Sequence, residues 1–187
     1  MSNPRRALLD KVVTFAASEG LADRSLREIA AGVGTSHRML LHHFGSREGL
    51  LAAVVEEIEQ RQRDAMAALA AAGDATDLVT GLWERLASPD LRPLVRLFFE
   101  VFALASRGVP GTEQLLANLT EPWLAAGEAA ATRLGVNADR ATLRLGVAVT
   151  RGLLLDLLAG SPAEEVAAAH ARFVQLLAGS VPAGDRT

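Results

Sequence analysis

The clearest structural signals of this chain lie in SLREIAAGVGTSHRMLLHHFGSREGLLAAVV, residues 25–55. Ser25 and Glu28 have the spacing of a capping box, which predicts a very short helix that ends near the glycines at positions 32 and 34. Ser36 is a capping residue for a second helix, predicted from about His37 to Phe44, and Gly45 ends it. Two short helices joined by a tight glycine-containing turn are typical of a helix-turn-helix.

The rest of the chain carries the same helix punctuation. Asn3-Pro4 is a cap followed by proline at the first helical position, and the apolar residues after it have helical spacing up to Gly20. Ser46 opens a long fourth helix, and Pro122 is expected to bend or restart a later one. We predict an all-α fold of about nine helices, with a three-helix helix-turn-helix head in residues 1–47 and a larger helical body in residues 48–187. The predicted helices cover about 4–19, 26–32, 37–44, 47–72, 75–87, 89–106, 112–134, 137–159 and 161–177.

Composition favours helices and excludes several kinds of chemistry. Half of the residues are hydrophobic but only 4% are aromatic, and alanine and leucine are prominent. The chain has no cysteine, so disulfides, thiolate nucleophiles and Cys-ligated zinc are excluded. The most apolar run, residues 143–160, contains three charged side chains, too many for a membrane span of about 20 residues. The N-terminus lacks a signal-peptide pattern, so we expect a cytoplasmic protein without a membrane segment.

The predicted third helix has two faces. Its packing face is expected to hold Met39, Leu40 and Phe44 with His43 beside them, and its outward face His37, Arg38, Leu41 and His42. Residues 1–47 contain seven basic and four acidic side chains, a net charge of +3, whereas the rest of the chain carries −6. This asymmetry indicates a polyanion partner for the head. Arg38 is the natural choice for a bidentate contact to guanine, and the start of the fourth helix, with Arg47, is a candidate phosphate site.

These residues resemble the DNA-binding segment of the TetR family of one-component transcriptional regulators. The family pattern has an Ile-Ala pair, a glycine turn, a serine, and a Leu-Tyr-x-His/Tyr-Phe run followed by Ser-Lys-Glu-x-Leu. The matching residues here are Ile29-Ala30, Gly34, Ser36, Leu40-Leu41-His42-His43-Phe44 and Ser46-Arg47-Glu48-Gly49-Leu50. The resemblance covers residues 3–55 and departs at Leu41, where the family has tyrosine. Leucine cannot donate to a phosphate, so either Leu41 contacts a thymine methyl or a neighbour such as His42 takes over the phosphate contact.

We therefore assign nine candidate DNA contacts: Arg27, Thr35, Ser36, His37, Arg38, Leu41, His42, His43 and Arg47. Simpler alternatives stay open for three of them, since His43 can be a packing residue, Arg47 can pair with Glu48, and Arg38 can be a solvated charge. Zinc binding by His37 and His42 is disfavoured, because the two are five residues apart, a spacing that does not align two side chains along a helix, and no third ligand is near. We expect no metal site and no cofactor.

The resemblance also implies a role for residues 48–187, as a ligand-binding and dimerisation domain. In the commonest arrangement of the family, a small-molecule effector, here expected to be mostly apolar, releases a homodimeric repressor from its double-stranded DNA operator. Aromatic residues concentrate on the helices that form the regulatory pocket in the family, although each can equally fill an ordinary core. Arg151 either meets a carboxylate or pairs with Asp156. The candidate effector contacts are Trp83, Phe98, Phe99, Phe102, Asn118, Trp123, Thr150 and Arg151.

The last two predicted helices are apolar around much of their circumference, which is typical of helices buried on more than one side. Pairing this hairpin with its symmetry mate would form a four-helix dimer interface. His170 is expected there as a hydrogen-bonded interface histidine rather than a ligand. The candidate interface residues are Leu155, Leu158, Val166, His170, Phe173 and Leu177.

No pattern supports an enzyme. The sequence lacks the Glu-x-x-His pairs of a di-iron bundle, a Gly-x-Ser-x-Gly elbow and a phosphate-binding glycine loop. The remaining alternative to a DNA-binding regulator is a helical ligand-binding or protein-interaction module without sequence-specific DNA binding.

Overall fold

A computed structural model describes residues 3–21 and 23–180 of the chain. All regular structure in these two ranges is helical, which confirms the predicted all-α fold. A short 3₁₀ turn, Pro89–Leu91, precedes the sixth α-helix. The α-helices are α1 (Pro4–Glu19), α2 (Leu26–Gly32), α3 (His37–Phe44), α4 (Arg47–Ala72), α5 (Ala75–Leu86), α6 (Arg92–Ser106), α7 (Glu113–Ala117), α8 (Glu121–Leu134), α9 (Arg140–Ala159) and α10 (Ala163–Ser180).

The first three helices, α1–α3, form the head, and their ends lie where the capping residues predicted them. The side-chain oxygen of Asn3 accepts from the backbone N–H of Arg5 at 3.0 Å. Ser25 and Glu28 form both hydrogen bonds of the capping box at the start of α2. Each cap satisfies donors that a helix start leaves unpaired, and such a cap stabilises a helix by about 1 kcal/mol.

Beyond the head, several predicted boundaries differ from the structure. The predicted helix over residues 112–134 is two helices, because the chain leaves helical geometry at Asn118. Pro122 lies in the first turn of α8, which confirms the predicted restart. Helix α9 starts at Arg140, three residues later than predicted, because Asp139 is the residue whose side chain caps it. Helix α10 starts at Ala163, two residues later than predicted. The hydroxyl of Ser161, before this start, donates to Asp156 at 2.6 Å. None of the helices in the described ranges is long and apolar enough to cross a membrane.

The chain divides into two compact units. Unit one contains the described residues up to Arg61 together with Pro89–Leu119, and unit two contains Gln62–Ser88 together with the described residues from Thr120 onward. The division therefore falls within α4 and differs from the predicted functional boundary at residue 47, which stays a prediction.

Unit one has a single large hydrophobic core that joins the head to α6 and α7. Ile29 and Leu40 of the head are fully buried in the same cluster as Val54 of α4 and Val101 of α6. Ion pairs reinforce the packing at the edge of this core. The buried carboxylate of Glu57 on α4 accepts from Arg6 of α1 at 3.1 Å and from Arg61 at 2.9 Å. The head is thus one part of a larger packed body and does not have a core of its own.

The loop between α6 and α7 approaches the start of α4 very closely. A Cβ atom added to Gly111 would lie 3.3 Å from Cα and N of Gly49 and from Oγ of Ser46. Gly111 also has a φ of 90°, in the region that glycine adopts without strain. Only a residue without a side chain allows this loop to lie against the first turn of α4.

Unit two is built from the second half of α4 with α5, α8, α9 and α10. Helix α9 packs against both α8 and α10, and α10 also packs against α5. Small side chains permit close approach, since a Cβ on Gly127 of α8 would lie 2.8 Å from Cδ2 of Leu143 on α9. On the surface of this unit, Arg140 makes ion pairs with Glu121 and Glu128 and links the start of α9 to α8.

Candidate nucleic-acid interface

Helix α3 is held by one side and presents the other to solvent. Leu40 is 0% exposed, Phe44 is also buried, and both belong to the core of unit one. Arg38 and His42 are exposed, as predicted from the spacing. An eight-residue helix has too few internal hydrogen bonds to persist alone, so the packing of Leu40 and Phe44 fixes its orientation.

Met39 does not lie where the sequence predicted it. It was assigned to the packing face, but its side chain is 42% exposed. At about 100° per residue, Met39 lies about 100° from Leu40 and about 140° from Phe44 around the helix, which places it outside the buried arc. We call the exposed side chains of Arg38, Met39, Leu41 and His42 the reading face.

The turn before α3 is fixed by backbone hydrogen bonds. Gly34 has a φ of 69°, and the next N–H, of Thr35, donates to the carbonyl oxygen of Ala30 at 2.9 Å. The side chain of Ser36 accepts from the backbone N–H of Met39 at 3.2 Å. Ser36 is exposed, while Thr35 and His37 are half-buried beside it. These three residues start the helix at the end that enters a groove in helix-turn-helix proteins.

Arg5 of α1 holds the other end of α3. Its Nε donates to the backbone carbonyl oxygen of His43 at 3.3 Å, and its guanidinium carbon lies 5.1 Å from the centre of the Phe44 ring. A cation near the last carbonyls of a helix is favourable, because these carbonyls carry partial negative charge. The ring of His43 also contacts those of His42 and Phe44 in edge-on geometry. Sequence reasoning missed the role of Arg5, because its partner lies 38 residues away.

Arg47 is engaged inside the protein. Its Nε donates to the carbonyl oxygen of Arg24 at 2.9 Å, and one Nη donates to that of Leu21 at 3.3 Å. The other Nη lies 3.9 Å from Glu48. Phosphate contact by Arg47 stays a prediction, but the observed bonds give it a positioning role, because they join the α1–α2 connection to the start of α4. Arg27, the remaining candidate in the head, is exposed on α2.

The candidate effector residues are divided between the two units. Phe98 packs on the core of unit one and meets Phe99 edge-on, with ring centres 5.2 Å apart. Phe102 and Asn118, also in unit one, are exposed. In unit two Trp83 and Trp123 are buried, and Arg63 lies over the Trp123 ring at 5.8 Å. Thr150 and Arg151 of α9 are half-buried.

Three of the candidate dimer residues are buried within a single chain. Val166, His170 and Phe173 pack inside unit two, and a partner has no access to them. Their shared helical face was correctly identified, but it packs on the chain's own helices, including α5. Of the other candidates, Leu158 and Leu177 are half-buried and Leu155 is exposed. Leu145 and Leu176, which are not among these candidates, are more than half exposed.

His170 is the most unusual polar group in unit two. It is only 3% exposed, and its ring stacks on Trp83 with centres 4.7 Å apart. Its Nε2 is buried without a hydrogen-bond partner. This contradicts the predicted hydrogen-bonded interface histidine. Burial lowers the pKa of His170 below its ordinary value, because the charged imidazolium loses solvation.

This burial predicts an acid-sensitive fold. Below the ordinary histidine pKa of about 6.5, the unfolded chain binds a proton at position 170 that the folded protein resists, so the free energy of unfolding falls as the pH falls. Replacing His170 by leucine should remove this contribution. Urea unfolding of both proteins at about pH 5.5 and about pH 7.5 tests it, since the other histidines are common to both. An equal loss of stability on acidification in the two proteins would contradict the assignment.

Within the described part of the chain, no three side chains of His, Asp or Glu come together in a way that could hold a metal ion. The chemistry of the head is therefore that of exposed guanidinium, imidazole, hydroxyl and apolar groups around one short helix. Such a set suits hydrogen bonding and van der Waals contact with base edges and phosphates.

Known proteins resemble the chain in two ways, in the sequence of its head and in its fold. The model of the family described as bacterial regulatory proteins, tetR family, matches residues 8–54. Two curated relatives, each named HTH-type transcriptional regulator BetI, are 34% identical to this chain over the segments that match. The match to the protein of Cronobacter sakazakii covers 64 residues, 34% of this chain and 32% of the relative. The match to the protein of Rhizobium meliloti covers 79 residues, 42% and 39%. The chain thus matches less than half the length of these relatives.

Solved structures share the fold over nearly the whole chain. A putative TetR-family regulator from Rhodococcus sp. has a TM-score of 0.72 at 22% identity, over 97% of this chain and 100% of that one. A TetR-family regulator from Pectobacterium atrosepticum has a TM-score of 0.69 at 23% identity, over 95% and 94%. A putative regulator from Saccharomonospora viridis, solved with choline, has 0.68 at 21%, over 91% and 95%. The head is thus similar in sequence to the tetR family of bacterial regulatory proteins, and the chain shares the fold of these solved structures.

Proposed function

We propose that the protein is a transcriptional regulator that binds a double-stranded DNA operator as a homodimer. The observation that carries this proposal is the orientation of α3, whose buried Leu40 and Phe44 leave Arg38 and His42 exposed along the opposite side. An eight-residue helix presented in this way fits the major groove, where its side chains meet base edges. Regulation of this kind takes place where the chromosome is, in the cytoplasm.

The head residues have different roles in this proposal. Arg38 contacts guanine with two parallel hydrogen bonds, and Thr35, Ser36, His37, His42 and His43 supply shorter contacts to bases and phosphates. Arg27 contacts phosphate from the surface of α2. Arg47 keeps the α1–α2 connection in place beside the start of α4, which supports the position of the whole head.

The homodimer is proposed to form through an apolar stripe on α9. Leu145, Ala148, Gly152 and Leu155 are exposed, and their spacing of three and four residues places them on one side of the helix. A Cβ added to Gly152 would meet nothing within 4 Å. Small and branched apolar residues in this pattern pack well against the same stripe of a symmetry mate. Leu176 adds an exposed apolar side chain on α10.

A small-molecule effector is proposed to control DNA binding. Two recognition helices must lie about 34 Å apart to enter successive major grooves. An effector that binds better to a dimer with a different separation would shift the population away from the DNA-bound form. Trp83 and Trp123, the candidate contacts buried in unit two, are large apolar side chains of the kind that such a ligand would meet. Thermal unfolding with a panel of small apolar compounds tests this, with choline included because it was bound in a protein of the same fold.

The DNA-binding proposal is tested by comparing Arg38→Ala with Arg27→Ala. The operator is first selected from random duplexes, and affinities are then measured by fluorescence anisotropy at two salt concentrations. Arg38→Ala should lose about tenfold or more in preference for the operator over random DNA, because base readout is removed. Arg27→Ala should weaken binding to both duplexes alike and lower the salt dependence by about one counterion.

Two results would contradict the proposal in different ways. Unchanged sequence preference in Arg38→Ala would show that another residue reads the bases. A wild-type protein without salt-sensitive DNA binding would instead favour the alternative, a helical ligand-binding or protein-interaction module.

A further inference from the structure

The reading face has an unusual composition for a surface that binds DNA. Arg38 and His42 form a central polar stripe, one helical turn apart. Met39 lies on one flank of this stripe, 42% exposed, and Leu41 on the other, 37% exposed. Half of the reading face is therefore apolar.

The exposure of Met39 has no structural explanation within the chain. Its backbone N–H is used by the cap of α3, since it donates to the side chain of Ser36. The side chain, however, extends from the outward arc, away from the core that holds Leu40 and Phe44. A thioether on a flexible stem is a soft apolar group that adapts to irregular surfaces. It offers nothing to a phosphate, because it has no donor to a phosphate oxygen.

The DNA major groove contains one apolar group, the 5-methyl group of thymine. The other groups on the base edges are hydrogen-bond donors and acceptors, and each of these would lose water without gain beside a thioether. We propose that Met39 is a base-reading residue that contacts a thymine methyl in each half-site, beside the base pair contacted by Arg38. This inference rests on the proposed DNA-binding function and assigns to it a base preference. The operator half-site would carry a required thymine next to the guanine.

The test removes the methyl groups from the selected operator one position at a time. Deoxyuridine replaces each thymine at symmetry-related positions of both half-sites, which keeps base pairing and every hydrogen-bonding group. For the wild-type protein, one position should show a loss of affinity of about fourfold per half-site, the loss expected for one buried methyl group. Met39→Ala should bind the thymine operator more weakly by a similar factor. It should be insensitive to deoxyuridine at that one position.

Leu41→Ala is the matched control, because it removes an apolar side chain from the opposite flank of the same helix. It should keep the full deoxyuridine effect at the position assigned to Met39. Circular dichroism and thermal unfolding should be unchanged in Met39→Ala, since the side chain has little part in the core.

The outcomes separate this inference from the proposed function. Sequence-specific binding that no deoxyuridine substitution weakens, or a Met39→Ala protein that keeps the wild-type response at every thymine, overturns the assignment of Met39 and leaves the regulator intact. Absence of any sequence-specific DNA binding overturns both.

Discussion

Replacing Leu40 by alanine is expected to lower the free energy of unfolding by about 3 kcal/mol and to abolish operator binding. Leu40 is 0% exposed and belongs to the cluster that joins the head to α4 and α6. Its truncation removes apolar contacts and leaves a cavity, and both contributions destabilise the fold. Helix α3 depends on this side chain more than a longer helix would, because eight residues form few internal hydrogen bonds. Urea unfolding followed by circular dichroism measures the stability, and fluorescence anisotropy measures DNA binding.

Leu41→Ala is a control for this experiment as well. It makes the same chemical change one residue later, at a side chain that is 37% exposed. The free energy of unfolding should change by less than about 0.5 kcal/mol. Equal destabilisation by the two substitutions would contradict the described orientation of α3.

Replacing Leu155 by glutamate is expected to convert the proposed dimer to a monomer. Leu155 is 53% exposed on the apolar stripe of α9. In a two-fold symmetric interface each residue occurs twice, so the substitution places two unpaired carboxylates in an apolar contact. Burying such groups costs several kcal/mol, and the dimer dissociation constant should rise by about a hundredfold or more. Sedimentation velocity measures the association, and operator affinity should fall with it, because a monomer contacts one half-site only.

Leu116→Glu is the matched control for the dimer. Leu116 is a leucine of comparable exposure on α7, in the other unit. Its replacement should leave association and DNA binding unchanged. If the dimer persisted in Leu155→Glu and was lost in Leu116→Glu, the assignment of the interface to α9 would be wrong.

The helices of the head were predictable because local sequence determines them. The capping box at Ser25 and Glu28, the glycine turn and the cap at Ser36 all act over three or four residues, and the structure confirms each. The orientation of α3 followed from Leu40 and Phe44 by the same short-range geometry. The resemblance to a known family rested on these same positions.

The errors in the dimer residues have a common physical origin, since they depend on a partner that is distant in sequence. Val166, His170 and Phe173 share a helical face, but the sequence does not reveal whether that face meets a second copy or the chain's own α5. The hydrogen bonds of Arg47 were not predicted either, because its acceptors are backbone carbonyls, at Leu21 and Arg24, that composition does not mark. Met39 was misplaced for a different reason. Met39 is next to the buried Leu40 in sequence, but successive residues of a helix point about 100° apart, so its side chain lies outside the buried arc.

The shared core of unit one limits how the head can be recombined with the bodies of other proteins. Leu94, Leu97 and Val101 of α6 and Leu115 of α7 are buried in the same cluster as the head. A chimera that grafted only the first 61 residues onto a foreign body would leave these contacts unfilled and expose apolar surface to water. The transplantable module is discontinuous, and it consists of the N-terminal segment together with residues 89–119. Changes of DNA specificity are therefore better made by substitutions on the outward side of α3 than by exchange of whole N-terminal segments.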